Sequence, residues 1–173
     1  MALPVTLDGA QENVLPPGIV PFPRRFAFND DGTLFLSSGI GPSGEGENAI
    51  LKFPWGESLK PMRLVSDPEL SPLDLAVAPN GNIVVSSEHP FGSTDALTSV
   101  REYDAADGRL IRVFSAGESA EFRRPRGLRF SSHGNLYCVA QDEVVAFDFA
   151  SGQCLGVVVH YPRLNGQAVA LFP

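Results

Sequence analysis

The chain of 173 residues contains one phrase three times: a proline, a short apolar segment, a glycine turn and a second apolar segment. The copies read PRRFAFNDDGTLFLSS from Pro23, PLDLAVAPNGNIVVSS from Pro72 and PRGLRFSSHGNLYCVA from Pro125. A fourth copy begins at LNGQAVALFP and the sequence ends there. A unit of about 50 residues that recurs in this way indicates an array of repeated modules, and this constrains the fold more than any other feature.

Each copy contains four segments that are typical of β-strands. The second segments, Leu34–Leu36, Ile83–Val85 and Leu136–Val139, are continuously apolar, which is typical of strands buried on both faces. Third and fourth apolar segments follow in every copy: Ile50–Phe53 and Met62–Val65, Val100–Tyr103 and Leu110–Phe114, Val144–Phe147 and Cys154–Val159. Four strands per unit with glycine turns between them predict an all-β fold, a β-propeller with about three complete blades.

The repeat boundaries predict one propeller domain over residues 1–173. We assign residues 23–71, 72–124 and 125–164 to three blades, and residues 1–22 and 165–173 to a split fourth blade that closes the ring. A split blade is one of three ways to avoid an open sheet edge. Two chains could instead complete a ring of six or seven blades, or the sequence could be the C-terminal part of a longer protein.

Composition limits the partners and the chemistry. A formal net charge of −7 and a pI near 4.9 argue against nucleic acids and anionic membranes as partners. The N-terminus lacks the basic start and apolar stretch of a secretion signal, and no apolar run is long enough to span a bilayer. A soluble, cytoplasmic protein is the default expectation unless the chain is a piece of a longer one. Cys138 and Cys154 fall two strands apart, about 9–10 Å, which predicts two free thiols.

The candidate site lies on the face of the ring that carries the loops between second and third strands and the links between blades. Two of these loops are long, Gly39–Asn48 and Glu88–Ser99, and long loops on a rigid scaffold commonly bind ligands. The candidate ligand-binding residues are Glu45, Glu47, Asp74, Glu88, Arg123, Arg124, Arg126 and Asp142. Guanidinium groups match carboxylate and phosphate geometry; the alternative is that these arginines pair with Glu118, Glu121 and Asp142.

The unit P-x-x-h-x-h-x-x-x-G-x-h-h-h resembles NHL repeats and the propellers of the gluconolactonase (senescence-marker) and streptogramin-lyase families. The resemblance implies a divalent metal, Ca²⁺ or Mg²⁺, held by acidic and Asn side chains. Leu164-Asn165-Gly166 resembles the Asn element, and Glu88 is the acid nearest to the register of the family's Asp. Glu88-His89 is one position away from the lyase pattern, in which a catalytic His follows a Glu; a solvated loop is the alternative reading.

Two functions follow from these patterns. The favoured one is a non-catalytic, NHL-like scaffold that binds a small molecule or a protein on the long-loop face. The alternative is a metal-dependent lactonase, hydrolase or lyase with Glu88 and Asn165 as metal ligands and His89 as acid or base. A truncated, inactive paralogue is the third reading.

Overall fold

The computed structural model describes residues 20–54, 60–67, 69–88, 99–115 and 124–162, together with Gly166 and Ala168. Within these ranges the chain forms strands and no helix. The strands build three antiparallel sheets of four strands, and in each sheet the strands follow one another in chain order. The predicted all-β class and the four strands per repeat are thus confirmed.

The strand bounds follow the repeats. The first sheet contains β1 (Pro23–Phe28), β2 (Leu34–Ile40), β3 (Gly46–Phe53) and β4 (Met62–Val65). The second contains β5 (Pro72–Val77), β6 (Ile83–Ser87), β7 (Ser99–Tyr103) and β8 (Leu110–Phe114). The third contains β9 (Gly127–Phe130), β10 (Asn135–Val139), β11 (Glu143–Asp148) and β12 (Cys154–His160).

Glycines with left-handed backbone close the hairpin between the first two strands of every sheet. Gly32, Gly81 and Gly134 have φ of 85°, 84° and 82°, a region that L-residues with a Cβ rarely occupy. The amide of each glycine donates to the carbonyl oxygen three residues earlier, at 2.9–3.0 Å. The recurring glycine of the sequence phrase is therefore a requirement of the turn.

The three sheets stack side by side, because β5 lies next to both β1 and β9. Alternate residues of β6 face opposite neighbours: Ile83 and Val85 enter the core shared with the first sheet, and Val84 enters the core shared with the third. All five residues of β6 are buried. This confirms that an unbroken apolar second strand is buried on both faces. Cys138 and Cys154 are free thiols, as predicted.

The hairpin after β2 is shorter than the sequence suggested. The segment 39–48 was expected to be a long loop, but Ile40 still pairs with Gly46 across the two strands. The amide of Gly41 donates to the carbonyl of Glu45 at 2.7 Å and closes the turn. Strand pairing therefore extends into the glycine-rich segment.

The segments assigned to the closing blade, residues 1–22 and 165–173, lie outside the described residues except for 20–22, Gly166 and Ala168. The fourth blade and the blade boundaries stay predictions. The described part of the chain includes no helix with the length and hydrophobicity that a membrane crossing needs.

Candidate functional site

A β-bulge at the start of the inner strand shapes the first and second sheets. Pro23 pairs with Ser38 and Arg25 pairs with Ser37, so Arg24 is an extra residue on β1. In β5 the register likewise shifts between Pro72 and Leu75. Such bulges re-aim side chains, and here they direct the residues after each proline out of the regular strand pattern.

A buried serine on the second strand holds each bulge. Ser37 Oγ accepts a hydrogen bond from the amide of Arg25 at 3.0 Å. Ser86 Oγ accepts the equivalent bond from the amide of Asp74 at 3.0 Å and donates to the carbonyl of Arg126 at 2.8 Å. Ser86 thus ties β5 to the segment that enters β9, and the inner strands of two sheets are held together at the site.

The bulged residues line a cavity of about 370 Å³ at one end of the sheets. Its walls consist of side chains from all three repeats: Arg24, Arg25, Leu73, Asp74, Glu88 and Arg126. We call this the arginine cavity. Two further arginines, Arg124 and Arg129, contact its carboxylates from the side. The described residues therefore place five guanidinium groups around two carboxylates in a protein whose net charge is −7.

Asp74 is a fixed part of the cavity wall. It is 5% exposed, and its Oδ1 and Oδ2 accept hydrogen bonds from the amides of Leu75 and Leu128, both at 2.9 Å. Arg25 Nε and Arg129 Nη1 lie 3.8 and 3.6 Å from its oxygens. Because two main-chain donors hold this carboxylate, Asp74 links the second sheet to the third and has little freedom to exchange partners.

Glu88 follows directly after β6 and is surrounded by arginine side chains. Its Oε1 lies 3.0 Å from Arg124 Nε and 3.4 Å from Arg126 Nη2. Burial lowers the pKa of Arg24, and the nearby Glu88 carboxylate opposes that shift. Arg126 Nε is buried and has no hydrogen-bond partner among the described residues. Among the described residues, one carboxylate thus faces three guanidinium groups.

Gly39 makes room for Arg24. Gly39 occupies the position in the first repeat that Glu88 occupies in the second. A Cβ at Gly39 would lie 2.1 Å from Arg24 Nε, so a side chain there would displace the guanidinium.

Solved structures share this architecture. A gluconolactonase from Xanthomonas campestris matches with a TM-score of 0.63 at 19% identity, over 84% of this chain and 49% of its own. A streptogramin B lyase matches with a TM-score of 0.57 at 12% identity, over 84% and 43%. A virginiamycin B lyase from Staphylococcus aureus matches with a TM-score of 0.52 at 12% identity, over 77% and 40%.

The chain is a β-propeller. At identities of 12–19% the likeness establishes the fold alone. The predicted resemblance to gluconolactonase and streptogramin-lyase propellers is confirmed for the fold. The chain spans about half the length of the structures it matches. No family model and no curated protein matches its sequence.

The propeller brings together four of the predicted site residues. Asp74, Glu88 and Arg126 line the arginine cavity, and Arg124 contacts it through Glu88. The described partner of both Arg124 and Arg126 is Glu88. The alternative pairing with Glu118 and Glu121 falls outside the described residues and is not tested.

The other predicted residues lie elsewhere or outside the described ranges. Glu47 pairs with Arg63 on β4, and Glu45 is exposed in the β2–β3 hairpin; neither lines the cavity. Asp142 lies in the β10–β11 turn, where its carbonyl accepts from the amide of Tyr161 at 2.9 Å. His89, Arg123 and Asn165 fall outside the described residues. Within the described ranges no three His, Cys, Asp or Glu side chains cluster as a metal site.

The candidate residues named from the sequence did not include Arg24, Arg25 or Arg129. A bulge on β1 directs Arg24 and Arg25 toward the cavity. The sequence does contain a trace of the bulges: the serine that holds each one recurs five residues after the turn glycine, as Ser37 and Ser86.

Proposed function

We propose that this propeller is a binding protein for a small anionic molecule, one that carries a carboxylate or a phosphate group, and that the arginine cavity is its site. The observation that carries the proposal is that, among the described residues, guanidinium groups outnumber carboxylates around a cavity of about 370 Å³. Guanidinium groups bind carboxylate and phosphate oxygens through charge-assisted hydrogen bonds, which are stronger than neutral ones.

The position of the cavity also favours a small molecule over a protein. The described lining residues come from all three repeats and surround one space of about 370 Å³. Ligand sites of small molecules are concave and combine a rigid frame with a few convergent polar groups. Here the frame is the set of inner strands, held by Ser37 and Ser86.

The competing proposal is a metal-dependent lactonase, hydrolase or lyase; a gluconolactonase and a streptogramin B lyase are among the structural neighbours. It requires Glu88 to coordinate a cation together with Asn165, with His89 as acid or base. A hard cation prefers several oxygen ligands. Glu88 is engaged by Arg124 and Arg126, which favours the anion proposal for this side chain.

Thermal unfolding in the presence of candidate ligands separates the two. A ligand that binds only the folded state raises the melting temperature. Phosphate, sulfate and citrate should each stabilise the wild-type protein, and glucose, which is neutral, should not. Arg126→Ala should abolish the stabilisation, whereas Arg63→Ala, which removes an equal charge from the exposed pair with Glu47, should retain it.

Two results would contradict the anion proposal. One is the absence of any shift with these anions at concentrations of about 10 mM, which would exclude a site with a Kd near 1 mM. The other is a shift of equal size in the wild-type protein and Arg126→Ala. Stabilisation by Ca²⁺ or Mg²⁺ that disappears in Glu88→Gln would support the metal-dependent enzyme instead.

A further inference from the structure

Glu88 already presents a carboxylate to the arginine pair that a ligand would use. Both Arg124 Nε and Arg126 Nη2 approach the same oxygen, Oε1, and the Glu88 side chain is only 14% exposed. The amide of Glu88 donates to the carbonyl of Ser71 at 3.1 Å, which holds its backbone. The carboxylate therefore occupies the position of an incoming anion.

Arg124 reaches Glu88 from an unfavourable backbone conformation. Its φ is 53°, and among the described residues it is the non-glycine residue with positive φ. Arg124 also precedes Pro125, a position that sterically disfavours helical backbone angles. Such conformations persist where the surrounding contacts hold them, and they are concentrated at ligand sites and switches. The described contact of the Arg124 side chain is its ion pair with Glu88.

The two carboxylates of the cavity differ in how readily a ligand can take over their hydrogen-bonding partners. Asp74 accepts hydrogen bonds from two main-chain amides, which cannot turn to a ligand without moving the strands. The described partners of the Glu88 carboxylate are arginine side chains, which can turn to a ligand. A ligand anion that displaces Glu88 replaces the ion pair that Arg126 makes with it.

We propose that Glu88 is a specificity-determining residue of the site: an internal carboxylate that competes with the ligand for Arg124 and Arg126. This inference rests on the proposed anion-binding function. Only an anion that makes more contacts with the guanidinium groups than Glu88 does can displace it. The site therefore favours ligands with two or more anionic groups over those with one.

The test compares Glu88→Gln with the wild-type protein by isothermal titration calorimetry, with citrate, acetate and inorganic phosphate as probes. Glutamine keeps the shape of the side chain and removes the competing charge. Affinity for citrate should rise about tenfold, equivalent to about 1.4 kcal/mol, and acetate should gain at least as much. Glu47→Gln makes the same change of net charge outside the cavity and should leave both affinities within about twofold of the wild-type values.

The outcomes separate this inference from the function on which it rests. Equal or weaker citrate binding by Glu88→Gln, with binding retained in the wild-type protein, would overturn competition and leave the anion site in place. A rise of the same size in Glu47→Gln would also overturn it, since net charge would then be the cause. Failure of every probe to bind either protein would refute the anion-binding function, and this inference with it.

Discussion

Glu88 and Glu102 lie near opposite ends of strand β6, and the groups that surround their carboxylates differ. Glu88 directly follows the strand and faces the arginine cavity. Glu102, on the neighbouring strand β7, lies at the other end beside the turn that precedes β6. Both carboxylates contact arginine, but of the two only Glu88 lines the arginine cavity.

The Glu102 end is closed. Its Oε1 accepts hydrogen bonds from Asn80 and Asn82 at 2.9 and 2.7 Å, and its Oε2 accepts from Arg112 Nε at 2.5 Å. The Arg112 guanidinium lies 5.1 Å from the ring centre of Phe114 and 4.8 Å from that of Phe149. We call these polar residues, Glu102, Asn80, Asn82 and Arg112, the Glu102 cluster. Through the contact of Arg112 with Phe149, this cluster joins the second sheet to the third.

The two ends differ in how many arginines share each carboxylate, and this distinguishes an ion pair that stabilises the fold from arginines that can bind a ligand. Around Glu102 one arginine meets one carboxylate, whose oxygens are occupied by protein donors. Around Glu88 several arginines share one carboxylate, and Arg126 keeps a buried Nε without a described partner. A buried arginine is therefore not by itself evidence of a ligand-binding site. An excess of guanidinium groups over carboxylates at an open cavity is such evidence.

The largest effect should come from Glu102→Gln. The substitution removes the charge that Arg112 pairs with and turns an amide toward its Nε, and breaking a buried ion pair costs about 3–5 kcal/mol. Urea unfolding should show a loss of about 3 kcal/mol, whereas anion affinity measured on the folded protein should not change. An unfolding free energy within about 0.5 kcal/mol of the wild-type value would show that the Glu102 cluster does not stabilise the fold.

Acid should remove much of the same stabilisation. Burial raises the pKa of Glu102, but the hydrogen bonds from Asn80, Asn82 and Arg112 outweigh it, and the net pKa lies below its ordinary value of 4.5. The unfolded chain then takes up the proton first as pH falls, so the contribution is complete above pH 4.5 and declines as pH approaches the lowered folded-state pKa. The stability difference between wild type and Glu102→Gln should shrink between pH 6 and the lowest pH at which both still fold. A constant difference would assign the effect to packing.

Ser86→Ala should affect both stability and binding. It leaves the Asp74 amide and the Arg126 carbonyl without their partner, which costs about 1–3 kcal/mol. Because Arg126 loses its anchor, citrate affinity should also fall by about threefold or more, an effect of about 0.7 kcal/mol. Ser37→Ala is the matched control: it releases Arg25 and leaves the Arg126 segment unaltered, so it should weaken binding less. The reverse order would contradict the anchoring role of Ser86.

The smallest effect should come from Arg112→Lys. Lysine keeps the charge next to Glu102 but lacks the planar guanidinium that contacts the rings of Phe114 and Phe149. The expected loss of unfolding free energy is about 1 kcal/mol, with citrate affinity unchanged. A loss as large as that of Glu102→Gln would mean that stacking, and not the ion pair, dominates the Glu102 cluster.

The repeat predicted the fold well because its determinants are local. The apolar second strands and the turn glycines 32, 81 and 134 specify the hairpins within each copy, and the structure confirms both. Glu88 was found for the same reason, since it directly follows β6. Arg24 and Arg25 were not found, because their direction depends on a bulge set by a hydrogen bond to Ser37 on another strand. Contacts between copies, such as that of Ser86 with Arg126, have no signature in a single repeat.

The most direct measurement of anion binding at the open end is anomalous diffraction from crystals soaked in selenate, a dianion whose selenium can be located independently of the model phases. The selenium peak is expected in the arginine cavity, within contact of Arg126 and Arg24, with the Glu88 side chain turned away from Arg126. It should be absent from crystals of Arg126→Ala soaked in the same way. Strong peaks elsewhere on the protein with an empty arginine cavity would contradict the central claim.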